Sequence, residues 1–232
     1  MLLGVEPKPV NMPKPARMLC LHGAGSNNDI TQLQMQGLNL TDRMECVYLQ
    51  APHMTKTYHP GLDLISEGPF YTWADKSKAL SDQEDQWDES LQFMAKFCKA
   101  NGPFAGVYGF SQSAAIITNF SHPKIWRDRF KMKQCPWKFV ILACGTGKHH
   151  MTIPMSTTIE MPSLHIFGKK DDKHLSNSKM LAGYWDHSQK MTHTHGRGHE
   201  IDMQISKRET EMMLKLNKFL DERLEDGGCD IR

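Results

Sequence analysis

Short apolar runs alternating with segments of helical spacing predict an α/β fold with a mostly parallel central sheet and helices on both faces. Runs such as Met18–Leu21, Cys46–Leu49 and Phe139–Ala143 are long enough for buried strands and too short for helices. Between them, apolar residues recur at helical spacing, the alternation expected of parallel strands joined by crossover helices. A chain of 232 residues, 39% of them hydrophobic, suits one enzyme-sized domain.

Charge and cysteine usage narrow the classes further. Lys+Arg 28 against Asp+Glu 26 gives a formal net charge of +2, with no basic block to track a phosphate backbone, so nucleic acid is not an expected partner. The 6 cysteines are scattered without a C-x-x-C pair and suggest reduced thiols in a cytoplasmic protein. The opening Met1–Pro7 does not suit a secretory signal, and the lack of an 18-residue apolar run argues against stable membrane insertion. Cys229 lies where a prenylated cysteine would, but Asp230 and Arg232 suit that signal poorly.

In chain order, residues 1–16 hold 4 prolines and are expected to form a flexible arm. The domain is expected over 17–224, and 225–232 as a flexible tail. The first strand, Met18–Leu21, runs into His22-Gly-Ala-Gly-Ser-Asn27, a glycine-rich turn that would bring backbone N–H groups into the open, as in an oxyanion loop. No Gly-Lys-Ser/Thr follows, which disfavours a phosphate cradle. A helix over Asp29 to about Leu40 and a strand at Cys46–Leu49 come next. The stretch from His53 to about Ser77 has no clear period and carries Phe70, Tyr71 and Trp73. A loop of that length is usually functional, so these aromatics are candidates to line a substrate pocket; the alternative is that they pin the loop to the body. Ser81-Asp-Gln-Glu84 has the pattern of a capping box, ahead of a helix with Trp87, Leu91, Met94 and Cys98 on one face.

Phe104 to Ile117 then gives a strand, a tight turn with Ser111 at its tip, and a helix from Gln112. A serine hydroxyl needs a base to become a nucleophile, so it must stand clear of the backbone. This pattern resembles the nucleophile elbow of an α/β-hydrolase, with Gly109 expected to let strand and helix approach closely. The second glycine of the usual pattern is replaced by Ser113, a rival hydroxyl placed inside the first helical turn.

Beyond the elbow, Phe139–Ala143 is a buried strand, and His149-His150 is expected to be a solvated surface pair rather than a metal site. A strand at Ser163–Phe167 ends at Gly168 and is followed by Asp171 and Asp172. A helix from about Ser176 to Trp185, a short strand near Met191–Thr194, the turn His195-Gly-Arg-Gly-His199 and one last helix over Ile205 to Leu220 complete the chain.

Ser111, Asp171 and His199 stand in the hydrolase order, each just past an expected strand end. The expected roles are Ser111 as nucleophile, His199 as base and Asp171 as the orienting acid, with Asp172 a competitor. The backbone N–H groups of Ala24 and Gln112 would hold the oxyanion. His193, His195 and His199 also permit a metal reading, but it would take His199 from an otherwise complete set. Neither a metal nor a cofactor is expected.

Together, Leu19-Cys-Leu-His-Gly-x-Gly-x-Asn27, Ala51-Pro52-His53, Tyr71-x-Trp73, Gly109-Phe-Ser-Gln112, Pro162-Ser-Leu-His165 with Gly168 and Asp171, and Gly198-His199 resemble the FSH family of serine hydrolases. The resemblance implies a small α/β-hydrolase without a large cap domain, similar to carboxylesterases and thioesterases that act on long-chain esters or on acyl chains held by a carrier protein. Two departures, Ser113 for the elbow glycine and Glu200-Ile201 for the proline after the histidine, bear on rate and substrate fit.

Overall fold

The computed structural model describes residues 15–225; the expected N-terminal arm up to 14, and the expected tail from 226 onward with Cys229, lie outside the described residues. The elements run β1 (Arg17–Leu21), α1 (Asn28–Gly37), β2 (Glu45–Leu49), β3 (His53–Thr55), β4 (Phe70–Thr72), α2 (Leu80–Asn101), β5 (Gly106–Phe110) and α3 (Ser113–Ser121), followed by β6 (Phe139–Ala143), β7 (Ser163–Gly168), α4 (Leu175–Ala182), β8 (Lys190–His195), α5 (Ile205–Arg208) and α6 (Thr210–Glu225). Six strands form one parallel sheet in the order β2-β1-β5-β6-β7-β8. After β2 the chain crosses back over β1 to lay down β5. The strand order therefore reverses between β1 and β5, and a crevice opens beyond their carboxyl ends.

The central strands are apolar on both faces because both faces are covered. Leu19, Leu21, Val107, Val140 and Leu142 pack with Trp87, Leu91, Met94, Ile116 and Leu181 of α2, α3 and α4. Their alternates Met18, Cys20, Tyr108, Phe139 and Ile141 pack with Met35 of α1, Ile205 of α5 and Met212, Leu216 and Leu220 of α6. No helix among the described residues is long and apolar enough to cross a membrane.

Three local expectations are corrected. α2 starts at Leu80, with Ala79 as its cap and no side-chain cap bond, so Ser81 lies inside the first turn and the capping box does not form. Gln83 N–H already donates to Ala79 O at 3.0 Å, which fixes the earlier start. The last helix is broken into α5 and α6 at Glu209, whose carboxylate accepts from Gly196 N–H at 3.2 Å. The long loop from His53 contains the antiparallel ribbon β3-β4 and a single 3-10 turn at Leu62–Leu64.

Candidate active site

β5 ends at Phe110, and Ser111 follows in the left-handed region with φ 57°. That conformation costs a non-glycine residue about 1–3 kcal/mol and persists only where its surroundings enforce it. They do so here: Ser111 N–H donates to Ala143 O (2.9 Å), and Ser111 O accepts from Thr146 N–H (3.0 Å) and Ala114 N–H (3.1 Å). α3 returns so close to β5 that a Cβ on Gly109 would lie 2.4 Å from Ile117 Cδ1. Ser113 fits this crowding because its hydroxyl is fully buried and turned down into the sheet, within donating distance of Phe110 O (2.8 Å) and Leu21 O (3.0 Å). It does not compete with Ser111 for the cavity.

Three loops at the same rim bring the distant residues together. His199 Nε2 lies 2.9 Å from Ser111 Oγ, and His199 Nδ1 lies 2.6 Å from Asp171 Oδ2. Asp171 is buried at the end of β7, whereas its neighbour Asp172 is exposed. With Nδ1–H donating to the carboxylate, Nε2 is left as the acceptor for the Ser111 proton. The β7 and β8 loops are pressed together: a Cβ on Gly168 would stand 2.1 Å from Gly198 O, so glycine is needed there for His199 to reach its place. Phe110 and His174 pack on the His199 ring, with centroids at 5.1 and 4.7 Å.

The glycine-rich loop after β1 lies beside the elbow, where a Cβ on Gly23 would be 3.0 Å from Ser111 Cβ. His22 anchors it from below. Its Nδ1–H donates to Gly23 O (2.7 Å), and its Nε2 accepts from Ala51 N–H (3.0 Å). Burial pushes its pKa down to about 4, so the ring is neutral as those bonds require. Among the described residues, neither Ala24 N–H nor Gln112 N–H donates to a protein acceptor.

The Gln112 side chain is a contributor that sequence reasoning missed, since only its backbone was assigned a part. Its Oε1 accepts from Thr72 Oγ1 (2.9 Å) and Trp73 N–H (3.0 Å), and its Nε2 donates to Ala74 O (2.8 Å), tying the elbow to the strand β4. Nothing in the sequence beyond its place after Ser111 signals this.

A cavity of about 890 Å³ opens over Ser111 and His199. Ile30, Leu33, Tyr58, Leu62 and Ile65 line one part of it, and Lys76, Thr146, His149, His174 and Asn177 another. Phe70, Tyr71 and Trp73 do not line it. Phe70 and Trp73 are buried, Trp73 donates its indole N–H to His22 O at 2.8 Å, and Tyr71 packs against the core. They pin the loop to the body, and Tyr58, tilted against Phe70 with centroids 4.5 Å apart, is the aromatic of this loop that faces the cavity.

The histidine pairs separate likewise. His149 is exposed and lines the cavity, but His150 is buried and stacks on Trp87 (4.5 Å between centroids), with its pKa lowered to about 4 by burial and then by His149, so the two are not a solvated pair. His193, His195 and His199 do not converge: His193 faces Glu209, His195 faces Cys144 (3.8 Å), and both nitrogens of His199 are engaged as described above. Among the described residues, the side chains that offer three potential ligand atoms at one place are Cys144, Asp171 and His199.

The geometry can be set beside known proteins. The chain is 30% identical over 171 residues to the esterase FUS5 of Gibberella moniliformis, covering 71% of this chain and 70% of that one. It is 26% identical over 220 residues to the esterase OVCA2 of Danio rerio, covering 84% and 94%. Among solved structures it is similar to esterase PE8, with a TM-score of 0.57, 18% identity and coverage of 90% and 93%, which speaks to the α/β-hydrolase fold alone. The profile of the serine hydrolase (FSH1) family matches residues 12–210, and the chain belongs to that family.

Proposed function

We propose that the protein is an esterase in which Ser111, His199 and Asp171 form the catalytic triad, acting through an acyl-enzyme on esters of medium to long acyl chains. The observation that carries this reading is the unbroken line of hydrogen bonds from Asp171 through His199 to Ser111, 2.6 and 2.9 Å, at the floor of the cavity. His199 takes the Ser111 proton as Oγ attacks the ester carbonyl. The unpartnered N–H groups of Ala24 and Gln112 receive the oxyanion, each such donor being worth roughly 3–4 kcal/mol in comparable sites. The imidazolium, held in place by Asp171, then gives its proton to the leaving alkoxide. Water enters and repeats the sequence to free the acid.

The apolar wall from Ile30, Leu33, Leu62 and Ile65 supports an acyl chain of several methylenes. Acyl thioesters, free or carrier-bound, fall within the same proposal, because a thiolate leaves with less help from His199 than an alkoxide. The five described cysteines stand as free thiols, which supports placing the enzyme in the cytoplasm.

The test is labelling by a fluorophosphonate probe together with p-nitrophenyl ester hydrolysis. Both are expected in the wild type and both lost in Ser111→Ala. Labelling that survives that substitution, or hydrolysis without labelling, overturns the reading in favour of another nucleophile or a metal-dependent hydrolase. The absence of both from the wild type would leave a binding protein.

A further inference from the structure

The two parts of the cavity differ in chemistry. The proposed acyl wall is apolar, and the part around Lys76, Thr146, His149, His174 and Asn177 is rich in hydrogen-bond donors; Asp75, Glu200, Asp202 and Arg208 also line the cavity. A leaving group has to receive its proton from His199 Nε2, so its oxygen must sit near that atom. His174 packs against His199, with ring centroids 4.7 Å apart, which puts the donor-rich wall on the leaving-group side. We infer that this half of the cavity recognises an anion, so that the preferred substrates are esters whose alcohol carries a carboxylate or a phosphate. The inference rests on the Ser111 reading and adds a substrate class to it.

The partners of the charged groups in the cavity wall carry the argument. Its acids are already engaged within the protein: Asp75 accepts from Thr55 Oγ1 (2.8 Å), Ser77 Oγ (2.7 Å) and Ser77 N–H (3.0 Å). Glu200 is paired with Arg197 (2.7 Å), and Asp202 with Arg197 (2.9 Å) and Arg208 (3.0 Å). Lys76 makes no ion pair among the described residues, and the Asn177 Nδ2 amino group donates to no protein acceptor among them, although the buried Oδ1 beside it also lacks a partner. Burial first and then the neighbouring His199 hold His174 below its ordinary pKa against the pull of the Asp171 carboxylate, with smaller contributions from Lys76 and Lys173. Asp172, the exposed acid next to the triad's Asp171, is not part of the cavity wall. A bound anion would meet the unpaired Lys76 ammonium and free donors, while a cation would find Glu200 and Asp202 in ion pairs and both Asp75 oxygens already accepting hydrogen bonds.

The test uses octanoyl esters of four para-substituted phenols, bearing acetate, methylphosphonate, acetamide or trimethylammoniomethyl groups, compared by kcat/KM at low salt. Either anion is expected to exceed the neutral amide by about three- to tenfold, a range set by the modest strength of partly exposed charge pairs, and the cation to fall below it. Ratios of anion to cation should drop at least fivefold in Lys76→Glu and shrink in wild type at about 1 M salt, where the screening length is ~3 Å. Preference for carboxylate over phosphonate, or the reverse, identifies the kind of alcohol. Equal kcat/KM across the series, or a charge preference that Lys76→Glu does not move, overturns the inference. If the neutral ester is hydrolysed by wild type and not by Ser111→Ala, the triad reading stands whichever way the charge series falls. Failure to hydrolyse any of the four overturns both.

Discussion

Asp171 Oδ2 lies 2.6 Å from His199 Nδ1, while the next carboxylate in the chain, on Asp172, is exposed. Asp171 opens the turn that leads into α4, its C=O accepting from His174 N–H (3.1 Å) and Leu175 N–H (2.9 Å), and there its side chain is buried against His199 while that of Asp172 is exposed. Asp171→Asn is expected to cut kcat by roughly 10⁴ by favouring the wrong histidine tautomer. Asp172→Asn should keep at least about a tenth of the activity, losing only a nearby charge. Measuring kcat for both, with thermal melts to confirm folding, decides the point; equal and mild effects would put the acid elsewhere.

The two serines of the elbow should behave differently. Ser111→Ala is expected to abolish ester hydrolysis, whereas Ser113→Ala removes only a hydroxyl bonded to the carbonyls of Leu21 or Phe110. Its cost should be about 1 kcal/mol of stability, with most of the hydrolysis rate kept. A dead Ser113→Ala would mean that the wrong hydroxyl has been assigned as nucleophile.

Chain length offers a third check. A cavity of about 890 Å³ with Ile30, Leu33, Leu62 and Ile65 in its wall has room for more than an acetyl group. Each methylene buried in the transition state is worth about 0.8 kcal/mol, so kcat/KM should climb severalfold per pair of carbons from acetyl toward octanoyl. A flat or falling profile would falsify the assignment of that wall to the acyl chain.

The glycine-rich loop gives a fourth. A Cβ on Gly25 would stand 2.3 Å from Thr57 O and 2.8 Å from Tyr58 Cα, contacts with backbone that cannot swing aside. Gly25→Ala should therefore push the Tyr58 segment off the loop and lower kcat/KM for octanoyl esters more than for acetyl esters, by about tenfold or more, because the acyl wall moves with it. Equal losses on both substrates would show that the segment does not shape the acyl site.

Acid sensitivity provides the fifth. Burial lowers the pKa of His22 and His150 to about 4 and, with help from the Lys190 charge, that of His165 to about 3. Each folded value lies below the unfolded one, so the unfolded chain binds the proton first. The stabilisation is complete above about pH 6.5 and is lost as pH falls toward 4, at up to roughly 1.4 kcal/mol per pH unit for each ring. Melting temperature should drop steeply between pH 6.5 and 4, and His165→Leu should reduce that slope. A wild-type Tm that holds level across this range would show that these rings are not held neutral.

The parts of this fold legible in the sequence were those set by local pattern. β6 is legible because Phe139–Ala143 is apolar on both faces, and the placement of Ser111 and Asp171 because each follows a buried run within a few residues; β8 before His199 is mixed in polarity, and there the glycine-flanked turn is the signal. What escaped was decided by partners far along the chain. Trp73 looks like a pocket aromatic until its indole finds His22 O, 51 residues away, and His150 looks solvated until Trp87 covers it. The break between α5 and α6 carries no glycine or proline; the nearby turn at Gly196 supplies the donor that Glu209 accepts, a bond no periodicity announces.

The contact between Gly168 and Gly198 O divides the rim into a part that tolerates change and one that does not. Lengthening either of those two turns by a residue would carry the acid or the imidazole out of register, so substrate range can hardly be altered there. Gly61, by contrast, must stay a glycine because of its φ of 95°, but it has nothing within 4 Å of where a side chain would begin, and it heads the open Leu62–Leu64 turn beside the proposed acyl wall. Insertions at that turn, the kind by which a library or a lineage explores new substrates, would reshape the cavity while leaving the reacting atoms where they are.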